Sequence, residues 1–319
     1  MAGIAEFGPR RATDERFQQV HEVLAACHAE IAGREPYRTA AETRAYLRHP
    51  PDSDERWQWI GLLSGVAVGV AQLSSLRGSK VGHLQIHVRP DARRLGVGRS
   101  LLEAVIARAQ DAELGSLISH HATLAGSRFA GRAGFVDGRR DVRSAIALGE
   151  AHLASDPVPG YALRSWDGPA PSELLESYAV VREAINDAPS ASDDDWEPFD
   201  AARIRDLEQA VARRGRQIRV TAALNPARDV VAFTELRVGE AAGSVGSIED
   251  TAVLPVYRRR GLGRWVKTES LASLRRARPD VCLVATTNAE QNAAIRDLNG
   301  TLGFAVESVS TTCVLSLSR

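Results

Sequence analysis

The sequence predicts two tandem mixed α/β (α+β) domains, each built on one central sheet flanked by helices. Three observations carry that prediction. One hexamer pattern occurs twice, as Arg93-Arg94-Leu95-Gly96-Val97-Gly98 and as Arg258-Arg259-Arg260-Gly261-Leu262-Gly263. Each copy follows an apolar strand-like run ending in proline (Ile86 to Pro90, Ala252 to Pro255) and opens a helix-like run (Ser100 to Ala109, Trp265 to Arg275). Each is followed at a similar distance by a Gly-Phe pair, Gly134-Phe135 and Gly303-Phe304. A repeat of that length means duplicated domains, and 319 residues with 44% apolar content can fill two cores.

The elements follow in order. Thr13 is placed to cap a helix in which Phe17, Val20, Leu24, Cys27 and Ile31 recur at helical spacing. Strand-like runs Trp57 to Leu63 and Val66 to Leu73 flank a tight Ser64-Gly65 turn, and His83 to Val88 leads into the first hexamer. In the second half, helices around Pro171 to Ile185 and Ala201 to Arg213 precede strands Ile218 to Leu224 and Val230 to Leu236, with Asn225-Pro226 between them. Ser247 to Leu254 enters the second hexamer. The Pro- and Gly-rich stretch from Ala154 to Pro171 reads as the connection, although Tyr161 to Trp166 inside it alternates like a strand. The expected boundaries are residues 1–153, a linker at 154–171, and 172–319.

A strand that turns sharply into a helix leaves the first helical N–H groups without partners, and the helix dipole favours an anion there. Glycines at the fourth and sixth hexamer positions let the backbone approach a ligand closely. A single copy could equally be a Gly-rich turn with solvated arginines. Two copies with matching flanks favour a phosphate-binding loop.

Strand, Arg-x-x-Gly-x-Gly, helix, then strand and helix ending in Gly-Phe resembles the GNAT superfamily of N-acetyltransferases. The likeness runs through nearly the whole chain as two copies, most specific over residues 247–304 and eroded over 81–135. The layout is similar to two-copy actinobacterial members such as mycothiol synthases. The resemblance implies acetyl-CoA as co-substrate. Its pyrophosphate would lie on Arg258, Arg259, Arg260, Gly261, Leu262, Gly263 and Arg264, and its pantetheine arm along Val253. Asn292, by position, would reach the pantetheine region, with a plain helix cap as the alternative; Asn288 reads as a cap. Arg93, Arg94, Gly96, Val97 and Gly98 would form a second such loop, or only serve the strand–helix junction.

Acetyl transfer to an amine needs a base, donors for the oxyanion, and an acid or water for the departing thiolate. By the resemblance, the base belongs on the strand Ser247 to Val253, where Asp250 is the first candidate and Glu249 the second. A solvated or salt-bridged strand carboxylate is the alternative for both. Adjacent strand residues face opposite ways, so at most one faces the site. The tyrosine that often serves as acid is replaced by Ala130 in the first half and Asn299 in the second; Asn299 can still hydrogen-bond the sulfur. The first half has Leu84 and Gln85 opposite the two carboxylates and Thr123 opposite Asn292. The second half is therefore expected to carry the chemistry. For the acceptor amine, Asn186, Asp187, Asp195 and Trp196 could supply charge and cation–π contact, or form only a solvated acidic loop.

The expected function is acetyl-CoA-dependent acetylation of a small-molecule primary amine by direct transfer. The alternatives are a mycothiol-synthase-like acetylation of a cysteinyl conjugate, or a non-catalytic acyl-CoA-binding protein. Zero formal charge disfavours nucleic acid. No run is long and apolar enough for a membrane helix, and Met1 to Arg11 lacks a signal-peptide core, so a cytoplasmic monomer or homodimer is expected. Cys27, Cys282 and Cys313 are far apart and odd in number, which predicts no disulfide framework and no metal; they read as small buried apolar residues, Cys282 above all.

Overall fold

The apolar spacing of the chain resolves into strands and helices in an order that repeats once along the sequence. A computed structural model describes residues 3–31, 33, 35–187, 196–241 and 243–317. The elements are β1 (Gly3–Glu6), α1 (Asp14–His28), α2 (Ala40–Arg48), β2 (Asp54–Leu63), β3 (Val66–Leu76), β4 (Val81–Val88), α3 (Val97–Asp111), β5 (Ser116–His121), α4 (Leu124–Arg132) and β6 (Val136–Ala147). They continue as β7 (Ala162–Asp167), α5 (Leu175–Glu183), α6 (Ala201–Arg213), β8 (Arg216–Leu224), β9 (Val230–Gly239), β10 (Gly246–Val253), α7 (Leu262–Ala277), β11 (Leu283–Ala289), α8 (Ala293–Leu302) and β12 (Ala305–Ser316).

The described residues form two compact units. One runs up to Arg139 and regains the stretch from Ser310 onward; the other runs from Arg140 to Val309. In the first, β1 to β4 pair antiparallel in succession, β4 and β5 run parallel, and the end of β12 pairs antiparallel with β5. In the second, β7, β8, β9 and β10 pair antiparallel, β10 and β11 run parallel, and the second part of β6 pairs antiparallel with β11. Beyond its parallel pair, each unit thus takes in a strand that begins in the other half of the sequence. β7 lies inside the stretch expected as a connection and is the strand next to β8.

Local chemistry explains the punctuation. Thr13, Thr39 and Asp200 accept hydrogen bonds from the first turns of α1, α2 and α6, and Thr39 with Glu42 completes a capping box. Ser64 and Gly65 both have positive φ, the turn that suits a two-residue hairpin. Gly134 and Gly303, the glycines of the Gly-Phe pairs, are left-handed at the ends of α4 and α8. Their partners Phe135 and Phe304 are buried. α1 ends before Ile31, which is exposed.

Alternation along the strands gives each sheet two apolar faces. In the second unit, Tyr178, Val181, Ile204, Val211, Val220 and Phe233 pack between the sheet and α5 and α6. On its other face Leu236, Ile248, Leu271, Leu274, Val284 and Leu302 pack under α7 and α8. Cys313 is buried as expected and Cys27 is partly so, but Cys282 is exposed. That expectation fails because Cys282 precedes β11, and Val281 and Val284 occupy the inward positions beside it.

Candidate active site

Both hexamers fold in the same way. Pro90–Ala92 and Pro255–Tyr257 form 3-10 turns, Arg94 and Arg259 take positive φ (66° and 60°), and Gly96 and Gly261 share a left-handed φ of 84°. That conformation favours glycine at the fourth position. Neither Gly96 nor Gly261 offers a side-chain cap, so the first N–H groups of α3 and α7 face outward as an anion site would require.

The parallel pair beside each loop parts after three residue pairs. β10 and β11 are registered only over Gly246↔Val284, Ser247↔Ala285 and Ile248↔Thr286, yet β10 continues to Val253. β4 and β5 likewise stop at His83↔Ile118 while β4 continues to Val88. The later half of each strand has therefore lost its parallel neighbour. Its main chain can pair instead with an extended ligand, as the amides of a pantetheine arm would.

The arginines divide into two groups. Arg258 donates from Nε to the Val253 carbonyl (3.0 Å) and pairs through Nη2 with Asp187. Arg93 repeats the arrangement, donating to the Val88 carbonyl (3.1 Å) and pairing with Glu30 (2.9 Å). Arg260 is held by the Tyr161 hydroxyl (2.9 Å) and the Val256 carbonyl (3.0 Å). Arg259 is exposed and has no hydrogen bond among the described residues. Among the described residues Arg264 reaches only Thr301, at 3.4 Å. Of the six arginines expected at phosphate in the two loops, Arg93 and Arg258 spend much of their guanidinium on fixing the loop.

The two sheets differ in one inserted residue. β4 pairs with β3 without interruption, placing Leu84 opposite Leu73 and Gln85 opposite Gln72. β10 pairs Ile248 with Leu236 and Asp250 with Glu235, so the register shifts at Glu249, which bulges out. Ile248 thus matches Leu84 and Asp250 matches Gln85, while Glu249 has no counterpart. Glu249 is exposed and accepts a hydrogen bond from Ser247 at 2.7 Å.

Asp250 enters a charged cluster that sequence reasoning missed. Arg182 on α5 donates from Nη2 to Asp250 Oδ2 (2.9 Å) and from Nη1 to Glu235 and to the Tyr178 hydroxyl (2.9 Å). Arg237 holds the other Glu235 oxygen at 2.7 Å. Arg182 and Glu235 are almost fully buried, and the Asp250 side chain keeps 23% of its surface open. Burial pushes the Asp250 carboxyl up to about 6, against the opposing pull of Arg182. Burial also works against the Glu235 charge, but Arg237 and Arg182 together hold that carboxyl down at about 2. At the matching place in the first unit the partners are neutral: Gln58 donates to Gln72 at 2.9 Å. The sequence signal was present in Glu235 within the apolar run of β9, and in Arg182 one turn after Tyr178 on the inward face of α5.

Asn299 is buried on the opposite face of the sheet. Its Oδ1 accepts from Lys267 on α7, and its Nδ2 donates to Asn288 Oδ1 at 2.8 Å. Asn288 therefore lies within β11 and is not a helix cap, correcting that expectation. Lys267 is fully buried and burial lowers its amine to about 7. Asn292 does cap α8, accepting from the Ile295 N–H at 3.4 Å.

The acceptor candidates separate. Asn186 is clamped to the main chain of Glu197 (2.8 and 3.2 Å), Asp187 is held by Arg258, and Trp196 is 55% exposed. Asp195 lies outside the described residues. Among the described residues, no helix is long and apolar enough to cross a membrane.

The sequence pattern described as "Acetyltransferase (GNAT) family" matches residues 17–135 and again 179–304. Among solved structures, the chain is similar to a tandem GNAT protein from the clavulanic acid biosynthesis pathway. That match has a TM-score of 0.84 and 20% identity, and covers 100% of this chain and 99% of the other. It is also similar to a GCN5-related N-acetyltransferase from Sphaerobacter thermophilus, with TM-score 0.74, 19% identity and coverage of 100% and 96%. A third is a putative acetyltransferase from Pyrococcus horikoshii, with TM-score 0.63, 13% identity and coverage of 99% and 90%. No curated protein matches the sequence.

Proposed function

The chain belongs to the acetyltransferase (GNAT) family, and from that premise we propose that it moves an acetyl group from acetyl-CoA to a primary amine of a small molecule, with the chemistry in the second unit. The observation that carries this reading is Asp250. It is a half-open carboxylate beside the loop strand, with an ordinary pKa of 3.8 raised to about 6. The first unit has Gln85 at the same register position, and an amide cannot take a proton.

Acetyl-CoA would lie with its phosphates on the N-terminus of α7, Arg259 and Arg264, and its pantetheine arm along β10 beyond Ile248. Arg182 occupies Oδ2 of Asp250, and Oδ1 accepts no hydrogen bond among the described residues. That oxygen is the one to take the proton from the incoming ammonium. The neutral amine then attacks the thioester carbonyl, and main-chain N–H groups freed where β10 leaves β11 are suited to the oxyanion. As the tetrahedral intermediate collapses the C–S bond breaks, the nitrogen sheds its second proton to water to give the neutral amide, and the departing CoA thiolate is protonated by water. No acyl-enzyme is required. Arg258, tying Asp187 to the end of β10, would set the acceptor side against the cofactor loop.

A second reading, acyl-CoA binding without turnover, is favoured by Asn299. It replaces the family's acid, is 3% exposed, and has both ends of its amide engaged. A panel of primary amines, including cysteinyl conjugates, with acetyl-CoA and a thiol readout decides between them. Release of CoA with at least one amine supports transfer. Calorimetric binding of acetyl-CoA without release supports the second reading, and neither binding nor release overturns both.

A further inference from the structure

We propose that His121, Asp137 and Cys313 form a site in the first unit for a divalent metal ion of the zinc class. The three side chains come from three strands, β5, β6 and β12, and their donor atoms all lie within 4.8 Å of one another. The strand register accounts for two of them. His121 stands opposite Thr311 and Ser119 opposite Cys313, so His121 and Cys313 are diagonal neighbours on one face of an antiparallel pair. The start of β6 closes on the same place: a Cβ added to Gly138 would lie 3.4 Å from the Thr312 carbonyl. Asp137, the residue before it, bonds His121 Nε2 at 2.8 Å.

Imidazole nitrogen, thiolate sulfur and carboxylate oxygen are the donors that zinc accepts, at about 2.0 to 2.3 Å from the ion. Tetrahedral placement at those lengths separates the donors by roughly 3.3 to 3.8 Å, a small rotamer adjustment from the spacing present. The His121–Asp137 bond alone would be an ordinary surface pair, but it leaves the third member unexplained. Cys313 is 1% exposed, and its sulfur lies within 4.8 Å of the His121 and Asp137 donor atoms. On binding, the thiol gives up H⁺ to solvent, sulfur and carboxylate bind M²⁺, and the imidazole binds neutral. Asp137 is 56% exposed and gives the ion its way in, while the fourth coordination position stays open to water. The bound ion would fasten the last strand of the chain to β5 and to the start of β6.

The test uses the full chain, stripped with chelator and titrated with Co²⁺. The site predicts one equivalent bound, with tetrahedral ligand-field bands and a thiolate-to-cobalt charge-transfer band, and Zn²⁺ displacing the cobalt. Cys313→Ser should abolish the charge-transfer band. Because that variant alters a buried position, the exposed Asp137→Asn serves beside it and should weaken Co²⁺ by at least about tenfold, since even the loss of an outer-shell partner costs a metal site that much. Zn²⁺ should raise the melting temperature of the wild type and not that of Cys313→Ser. An absent sulfur band in the wild type, or a band that survives in Cys313→Ser and so arises from Cys27 or Cys282, overturns the proposal.

Discussion

Arg182 Nη2 lies 2.9 Å from Asp250 Oδ2, so a guanidinium carried by α5 fixes the carboxylate on the strand that enters the second hexamer loop. The same guanidinium closes on Glu235 and sits 4.8 Å over the Phe199 ring. An ionised group this deeply placed is tolerated only while its partners remain, because desolvation exceeds what an unpaired charge can recover.

Replacing Arg182 with Met should therefore lower stability by about 3 to 5 kcal/mol, as for other buried pairs broken on one side. Adding Glu235→Gln should recover part of that loss, since the first unit holds Gln72 at the matching position. Denaturant unfolding of the two variants measures this. Equal stability of Arg182→Met and wild type would show that the cluster is not structurally coupled.

The acyl-transfer rate should rise with pH through about 6 and level off above it, because Asp250 must be ionised to accept a proton. The sign for stability is opposite. A carboxyl with its folded pKa above the ordinary 3.8 binds its proton more tightly when folded, so this group alone makes stability fall as pH rises from about 4 to 6. A kcat profile flat across that range contradicts the assignment.

Lys267 supplies an independent titration. Its folded pKa of about 7 lies below the ordinary 10.5, so the unfolded chain holds the extra proton between them. Stability contributed by this group should climb as pH rises from 7 toward 10.5, with a slope of at most about 1.4 kcal/mol per pH unit. Urea unfolding of wild type and Lys267→Met at pH 7, 8 and 9 reads the difference. A slope unchanged in Lys267→Met would remove the buried amine as its source.

The repeat was legible because glycine conformation is written locally. Gly96 and Gly261 advertise a left-handed turn, and Gly134 and Gly303 a helix end, whatever surrounds them. What escaped depends on pairing. The bulge at Glu249 exists only relative to β9, so Glu249 and Asp250 looked equivalent until Ile248 was seen opposite Leu236 and Asp250 opposite Glu235. Arg182 and Asp250 are 68 positions apart, and Cys313 meets His121 only through the pairing of β12 with β5. Arg258 looked like a phosphate ligand because a motif shows residue type; only the fold reveals its bond to the Val253 carbonyl.

Gly261→Ala places a Cβ at φ 84°, in ordinary contact with Val158 Cγ2 at 3.8 Å, but the backbone is strained by roughly 1 to 2 kcal/mol. The loop should relax away from that conformation, and acetyl-CoA affinity of the second unit should fall. Gly96→Ala carries the same strain and should leave the transfer rate unchanged. Calorimetry and steady-state rates on both variants check this. A rate that follows Gly96 would move the chemistry to the first unit.

The central claim is that Asp250 is the base of an acetyl transfer. The direct measurement is the single-turnover rate of Asp250→Asn, taken with saturating acetyl-CoA and an amine accepted by the wild type, alongside calorimetric binding of acetyl-CoA. The Asn side chain keeps the shape and can still accept from Arg182, but it cannot take a proton. The account predicts a rate lower by about 10² or more with acetyl-CoA binding unchanged. An undiminished rate in Asp250→Asn would contradict it.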